Sequence, residues 1–171
     1  MDPIDVVLQA EGGYSNDPVD RGGATNFGVT QHTYSTYLGR PATIQDVKDM
    51  TVETAREIYE RMYLTGPRID TIPQPLQTLV LDMSVNHGPR NAIKMLQRVT
   101  NAAGFGPISV DGVLGPMTRA SVLKGVAGMG NAFQNALVEE RLHFYASIIA
   151  RHPEQKKYEH GWTNRAESFR L

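Results

Sequence analysis

Cysteine is absent from the 171 residues. That excludes a thiol nucleophile, Cys-ligated zinc and any disulfide framework. Neither sign of charge is in excess: Lys and Arg total 17, Asp and Glu 18, for a formal net charge of −1. Phosphate backbones call for a basic face, so nucleic acid is not expected as a partner. No apolar run approaches the ~18 residues of a membrane span, and stable membrane insertion is not expected. The start, Met1-Asp2-Pro3-Ile4-Asp5, has neither the basic nor the apolar stretch of a secretory signal, which predicts synthesis in the cytoplasm. The G-x-S-x-G, P-loop, G-x-G-x-x-G and H-E-x-x-H patterns are all missing. His87 has no second histidine at ligand spacing, so no metal and no cofactor is expected.

What is present is helical periodicity broken by Gly and Pro. The length suits one domain with a core of its own. Asp2-Pro3 begins a helix on which Ile4, Val7, Leu8 and Glu11 recur at i, i+3, i+4 and i+7, and Gly12-Gly13 ends it. Residues 14–28, rich in Gly, Asn, Asp and Pro, suit a small hairpin or irregular loop. Thr30 caps a helix to about Leu38, Thr43 caps Ile44 to Met50, and Thr51 caps Val52 to about Leu64. Tyr59 and Tyr63 fit either a sugar groove or the core. Leu76 to Gly88 is apolar nearly all round and predicts a central, buried helix. Further helices are expected from Pro89 to Ala103, Met117 to Val126 and Asn131 to Arg151. The second of these should end at the Gly125, Gly128, Gly130 spacing. With about eight helices and at most one hairpin, the fold class is mainly α.

The chemistry concentrates in Glu11 to Thr30. A carboxyl at the end of an apolar helical face is partly desolvated, which raises its pKa and suits a general acid. Asp17, Asp20 and Thr25 follow on the turn-rich segment. Two carboxylates across a cleft are the minimal apparatus of glycoside hydrolysis. Asp17 before Pro18 also reads as a turn former, and Asp20 as a turn residue or a partner of Arg21. Asp82 and Asn86 share a face of the central helix: they either tie it to its neighbours, or Asn86 and His87 reach the cleft. The tail, Tyr158-Glu159-His160-Gly161-Trp162-Thr163-Asn164-Arg165, suits stacking and hydrogen bonding to a sugar, or docking of Trp162 into the core. The candidate substrate-binding residues are Tyr14, Asn86, His87, Trp162 and Asn164.

Glu11-Gly12-Gly13-Tyr14, Asn16-Asp17-Pro18, Asp20, Gly22-Gly23, Thr25 and Phe27-Gly28-Val29 together resemble the glycoside hydrolase family 108 muramidases. The resemblance continues through Asp82 to Gly88, Asp111 to Thr118 and Gly161 to Arg165. It implies a lysozyme-like catalytic part at 1–90. It also implies a helical part at 91–171 that resembles the family's predicted peptidoglycan-binding region, packed with the first as one unit. It further implies hydrolysis of the β-1,4 bond between N-acetylmuramic acid and N-acetylglucosamine, with Glu11 as catalytic acid. The order Glu11, Asp20, Thr25 is also similar to the Glu-Asp-Thr triad of phage-type lysozymes, which favours Asp20 over Asp17 as second carboxylate. The role implied is that of a monomeric bacteriophage or prophage endolysin. Its partner is the glycan strand of bacterial peptidoglycan, and it waits in the host cytoplasm for holin-type release. The alternatives are a catalytically idle wall-binding or secretion-related protein of the same shape, and a lytic transglycosylase.

Overall fold

The structure, a computed structural model, describes residues 1–18 and 23–171. Asp20, the expected second carboxylate, and Arg21 lie outside them.

The first helix, α1 (Pro3–Ala10), starts as its sequence dictates: the Asp2 side chain accepts from the Ile4 N–H and Pro3 occupies the first turn. It stops one residue before Glu11, whose backbone is extended (ψ 142°), rather than at Gly12-Gly13. A two-stranded antiparallel hairpin follows, β1 (Thr25–Asn26) with β2 (Val29–Thr30), in which Asn26 pairs with Val29. Its two-residue loop, Phe27-Gly28, holds positive φ at both positions (51° and 75°), the backbone that a type I′ turn requires. Ser15 adds a bridge to Thr25.

Three short helices come next: α2 (Gln31–Leu38), α3 (Ile44–Lys48) and α4 (Val52–Ile58), each capped by the expected threonine. Gly39, at φ 70°, ends α2. The helix expected to run from Val52 to Leu64 instead changes register after Ile58. Residues Tyr59–Thr65 form a π-helical turn. The wider turn sets Tyr59 and Tyr63 inward, and both are core residues rather than exposed groove aromatics.

The centre of the molecule is α5 (Gln74–His87), which packs on α1 and on α6 (Pro89–Ala102). Leu79, Val80, Leu81 and Met83 are fully buried. Each such side chain contributes about 1.5–3 kcal/mol over exposure. Two long helices, α7 (Pro116–Met129) and α8 (Asn131–Arg151), close the second half with α9 (Glu159–Glu167). α7 runs past the Gly125 and Gly128 at which a break was expected. A Cβ at Gly125 would stand 2.5 Å from the Phe133 ring, and one at Gly128 3.0 Å from Phe105, so both glycines admit aromatic rings against the helix. Only Gly130, at φ 57°, breaks it. Nine α-helices and one hairpin among the described residues make the fold mainly α and lysozyme-like.

Candidate active site

A cleft of about 460 Å³ separates the end of α1 and the hairpin from α8, α9 and the 3₁₀ turn Pro153–Tyr158. Glu11, Thr25 and Gly28 line one side; Tyr145, Tyr158 and Trp162 line the other; Asn86 and His87, from the end of α5, lie between in sequence. Each element delivers its residue for a local reason. The end of α1 turns the Glu11 side chain out of the helical spiral and into the cleft. The positive φ of Gly28 lays backbone against the carboxyl, where a Cβ would come within 2.9 Å of Glu11 Cδ. The Tyr59 hydroxyl donates to the Phe27 carbonyl and so anchors that turn from below.

Glu11 is 14% exposed at its side chain. Its Oε1 accepts from Arg165 Nη2 at 3.0 Å and from Asn86 Nδ2 at 3.2 Å. Burial raises its pKa above the ordinary glutamate range, against the opposing pull of the Arg165 charge; the nearby Asp82 charge adds to the rise. Burial prevails although Arg165 touches the carboxylate.

Behind Glu11 stands a buried ion network that the sequence did not reveal. Asp82, fully buried, faces Arg141 Nη2 at 2.6 Å and Arg165 Nε at 2.9 Å, with Arg165 Nη2 also on its Oδ1. Arg141 is fully buried too, although its neighbours on α8 read as an apolar face. Arg165 further donates from Nη1 to the Ala10 carbonyl at 2.9 Å, so one guanidinium ties the end of α1, the catalytic candidate and α5 together. Asn86 Nδ2 donates to the Asp82 carbonyl at 2.9 Å. The i, i+4 pair thus both ties helices together and reaches the cleft. The available signal for Arg141 was an arginine inside a helix of apolar period; for Arg165 it was its place in the tail motif.

The other candidates fall differently. His87 lines the cleft, with its Nε2 facing Arg141 Nε at 3.3 Å and its ring edge-on to Phe144 and Tyr145. Burial, helped by the Arg141 charge, holds its pKa well below the ordinary histidine value, so the ring is neutral and accepts. Trp162 stacks between Tyr145 and Tyr158, at 5.0 and 5.7 Å between ring centres. Thr25 lines the cleft from β1. Tyr14 and Asn164 do not line it. Tyr14 is exposed, with the Lys48 ammonium 5.9 Å from its ring centre, and Asn164 turns to His160 one helical turn back. Asp17 accepts from Lys157 Nζ at 2.8 Å and from the Tyr158 hydroxyl at 2.6 Å, which fastens the segment after Glu11 to the far wall.

The fold and this desolvated glutamate define a lysozyme-like protein. The chain belongs to the glycosyl hydrolase 108 family, whose profile matches residues 4–88. A profile described as a predicted peptidoglycan domain matches residues 91–167. Ten chains of solved structures match as well. Among them SagA of Brucella abortus is similar at 33% identity and a TM-score of 0.83, over 98% of this chain and 88% of that one. No curated protein sequence matches. A glycoside hydrolase that acts on peptidoglycan is the class these findings support.

Proposed function

We propose that this protein is an N-acetylmuramidase that hydrolyses the β-1,4 bond between N-acetylmuramic acid and N-acetylglucosamine. The observation that carries the reading is the state of Glu11. It stands in a cleft, is largely removed from water, and has a pKa raised by burial. Both of its hydrogen bonds among the described residues fall on Oε1. Oε2 is then the atom that holds the proton and delivers it to the leaving glycosidic oxygen. Asp20 is proposed as the second carboxylate, positioning the attacking water or stabilising positive charge at the sugar, with Thr25 assisting through its hydroxyl. The aromatic wall in which Trp162 stacks with Tyr145 and Tyr158 suits contact with the C–H groups of a sugar ring.

The biological role proposed is that of an endolysin, made in the host cytoplasm and released to the wall through a holin-type pore. The bond is tested by mass spectrometry of digested peptidoglycan. Reducing muramic acid ends are expected. Anhydro ends would establish a lytic transglycosylase instead, and the absence of any product would favour an idle wall-binding protein.

A further inference from the structure

A second cavity, of about 600 Å³, opens where the π-helical turn, the start of α6 and the loop before α7 meet. Only Gly88 separates its residues from those of the cleft along the chain: Asn86 and His87 line the cleft, Pro89 and Arg90 the cavity. Three arginines, Arg61, Arg68 and Arg90, are among its lining residues, with Asp111 as the carboxylate residue. That carboxylate is already engaged, since its Oδ1 accepts from Gln97 Nε2 and from the Val113 N–H, both at 2.9 Å. Arg61 pairs with Glu57 at 3.2 Å. Arg68 and Arg90 have no side-chain hydrogen bond or close ion pair among the described residues, although the Arg90 charge is near enough to Asp111 to help the Gln97 hydrogen bond lower that carboxyl's pKa. Pro67, Pro89 and Val113, the last 63% exposed, give the cavity apolar surface, with Ile93 and Leu114 buried beneath them.

The backbone packs tightly at two points of its rim. A Cβ at Gly112 would stand 2.5 Å from Arg90 Cγ, so the loop lies directly against Arg90. A Cβ at Gly66 would meet the Arg61 carbonyl at 2.4 Å, so the π-helical turn closes tightly only with glycine there.

We propose that this cavity binds a short acidic peptide, the chemistry of the stems attached to the glycan of peptidoglycan. Guanidiniums with free donors, such as those of Arg68 and Arg90, take carboxylates in forked geometry. The apolar lining suits small side chains such as alanine methyls. A neutral sugar would offer neither cation a charge-assisted hydrogen bond, and a phosphate polymer would leave the apolar surface unused. The source of the peptide rests on the peptidoglycan reading of the chain; the site itself does not.

The test is calorimetric titration of the full chain with a synthetic N-acetyl-alanyl-γ-glutamyl-alanine peptide free of sugar, which carries two carboxylates and no cation. Saturable binding is expected, weakened roughly tenfold or more in the double variant Arg68→Asn, Arg90→Gln, the scale of one or two hydrogen bonds to charged groups. Asn is chosen because position 68 holds φ 66° and asparagine adopts that backbone; an unchanged melting temperature verifies the fold. The same double variant should raise KM on intact sacculi while leaving kcat, and turnover of peptide-stripped glycan, unaltered. Absence of peptide binding, an unchanged KM on sacculi, or binding of inorganic polyphosphate in place of the peptide would overturn the proposal. If the wild-type protein cuts no glycan at all, the muramidase reading fails, while the titration, which needs no catalysis, still decides the cavity.

Discussion

Glu11 is the residue at which burial and charge oppose each other most directly. Its raised pKa means that the folded protein favours the protonated carboxyl, so its contribution to stability is present below pH 4.5, the ordinary glutamate value, and is lost as pH rises through the folded pKa. Glu11→Gln keeps the shape and both N–H donors near Oε1 but has no proton to give. The variant should therefore lose activity by about 10²–10⁴-fold and melt higher than wild type at pH 7, the gain vanishing near pH 4. A residual turnover above about a tenth of wild type would rule out the general-acid role. Arg165 lowers the same pKa. A general acid fails as pH climbs through its pKa, so Arg165→Gln should move the alkaline limb of the pH–rate profile upward, in addition to costing stability through Asp82. A limb that stays in place would show that a different group sets it.

At the scale of elements, the helices were largely legible and the joints between them were not. Thr30, Thr43 and Thr51 announce their helices because a side-chain oxygen before an orphan N–H is a local device, independent of what packs nearby. The π-helical turn after Ile58 was invisible because it is set by packing: Tyr59 must reach the Phe27 carbonyl across 32 residues of chain. The same holds for Gly125 and Gly128, which look like breakers until the rings of Phe133 and Phe105 lie against them. In the candidate site Glu11 was legible from its apolar stripe and the turn-rich segment after it. Arg141, set among the apolar surface of an amphipathic helix, was not. The end of α5 carries a prediction of its own. His87 is held neutral, with its pKa depressed from 6.5, so its contribution is present above pH 6.5 and is lost as pH falls toward the folded value. Between those limits stability should drop by up to about 1.4 kcal/mol per pH unit. Denaturant titrations of wild type and His87→Gln check this, and the slope assigned to His87 should disappear in the variant.

At the scale of the whole molecule, the two family profiles meet between residues 88 and 91, yet the charge network crosses that boundary. Glu11 and Asp82 come from one side; Arg141 and Arg165 come from the other. A buried carboxylate that loses its cation costs about 3–5 kcal/mol, a large share of a domain's total stability of about 5–15 kcal/mol. Asp82→Ala, which leaves the buried Arg141 without its counter-charge, should destabilise by that order. Asn86→Ala, at the exposed end of α5, should cost much less in melting temperature and more in activity. The same reasoning applies to a cut. Residues 1–90 alone would leave Asp82 without either arginine, Glu11 without its Nη2 donor, and the apolar face of α5 without α6. We expect that fragment to lack a cooperative melting transition and to cleave no peptidoglycan. Adding residues 91–171 in trans should restore a transition only where Asp82 and Arg141 are both intact. A folded, active 1–90 fragment would show instead that the lysozyme-like half is self-sufficient and that Arg165 merely adjusts a site built without it.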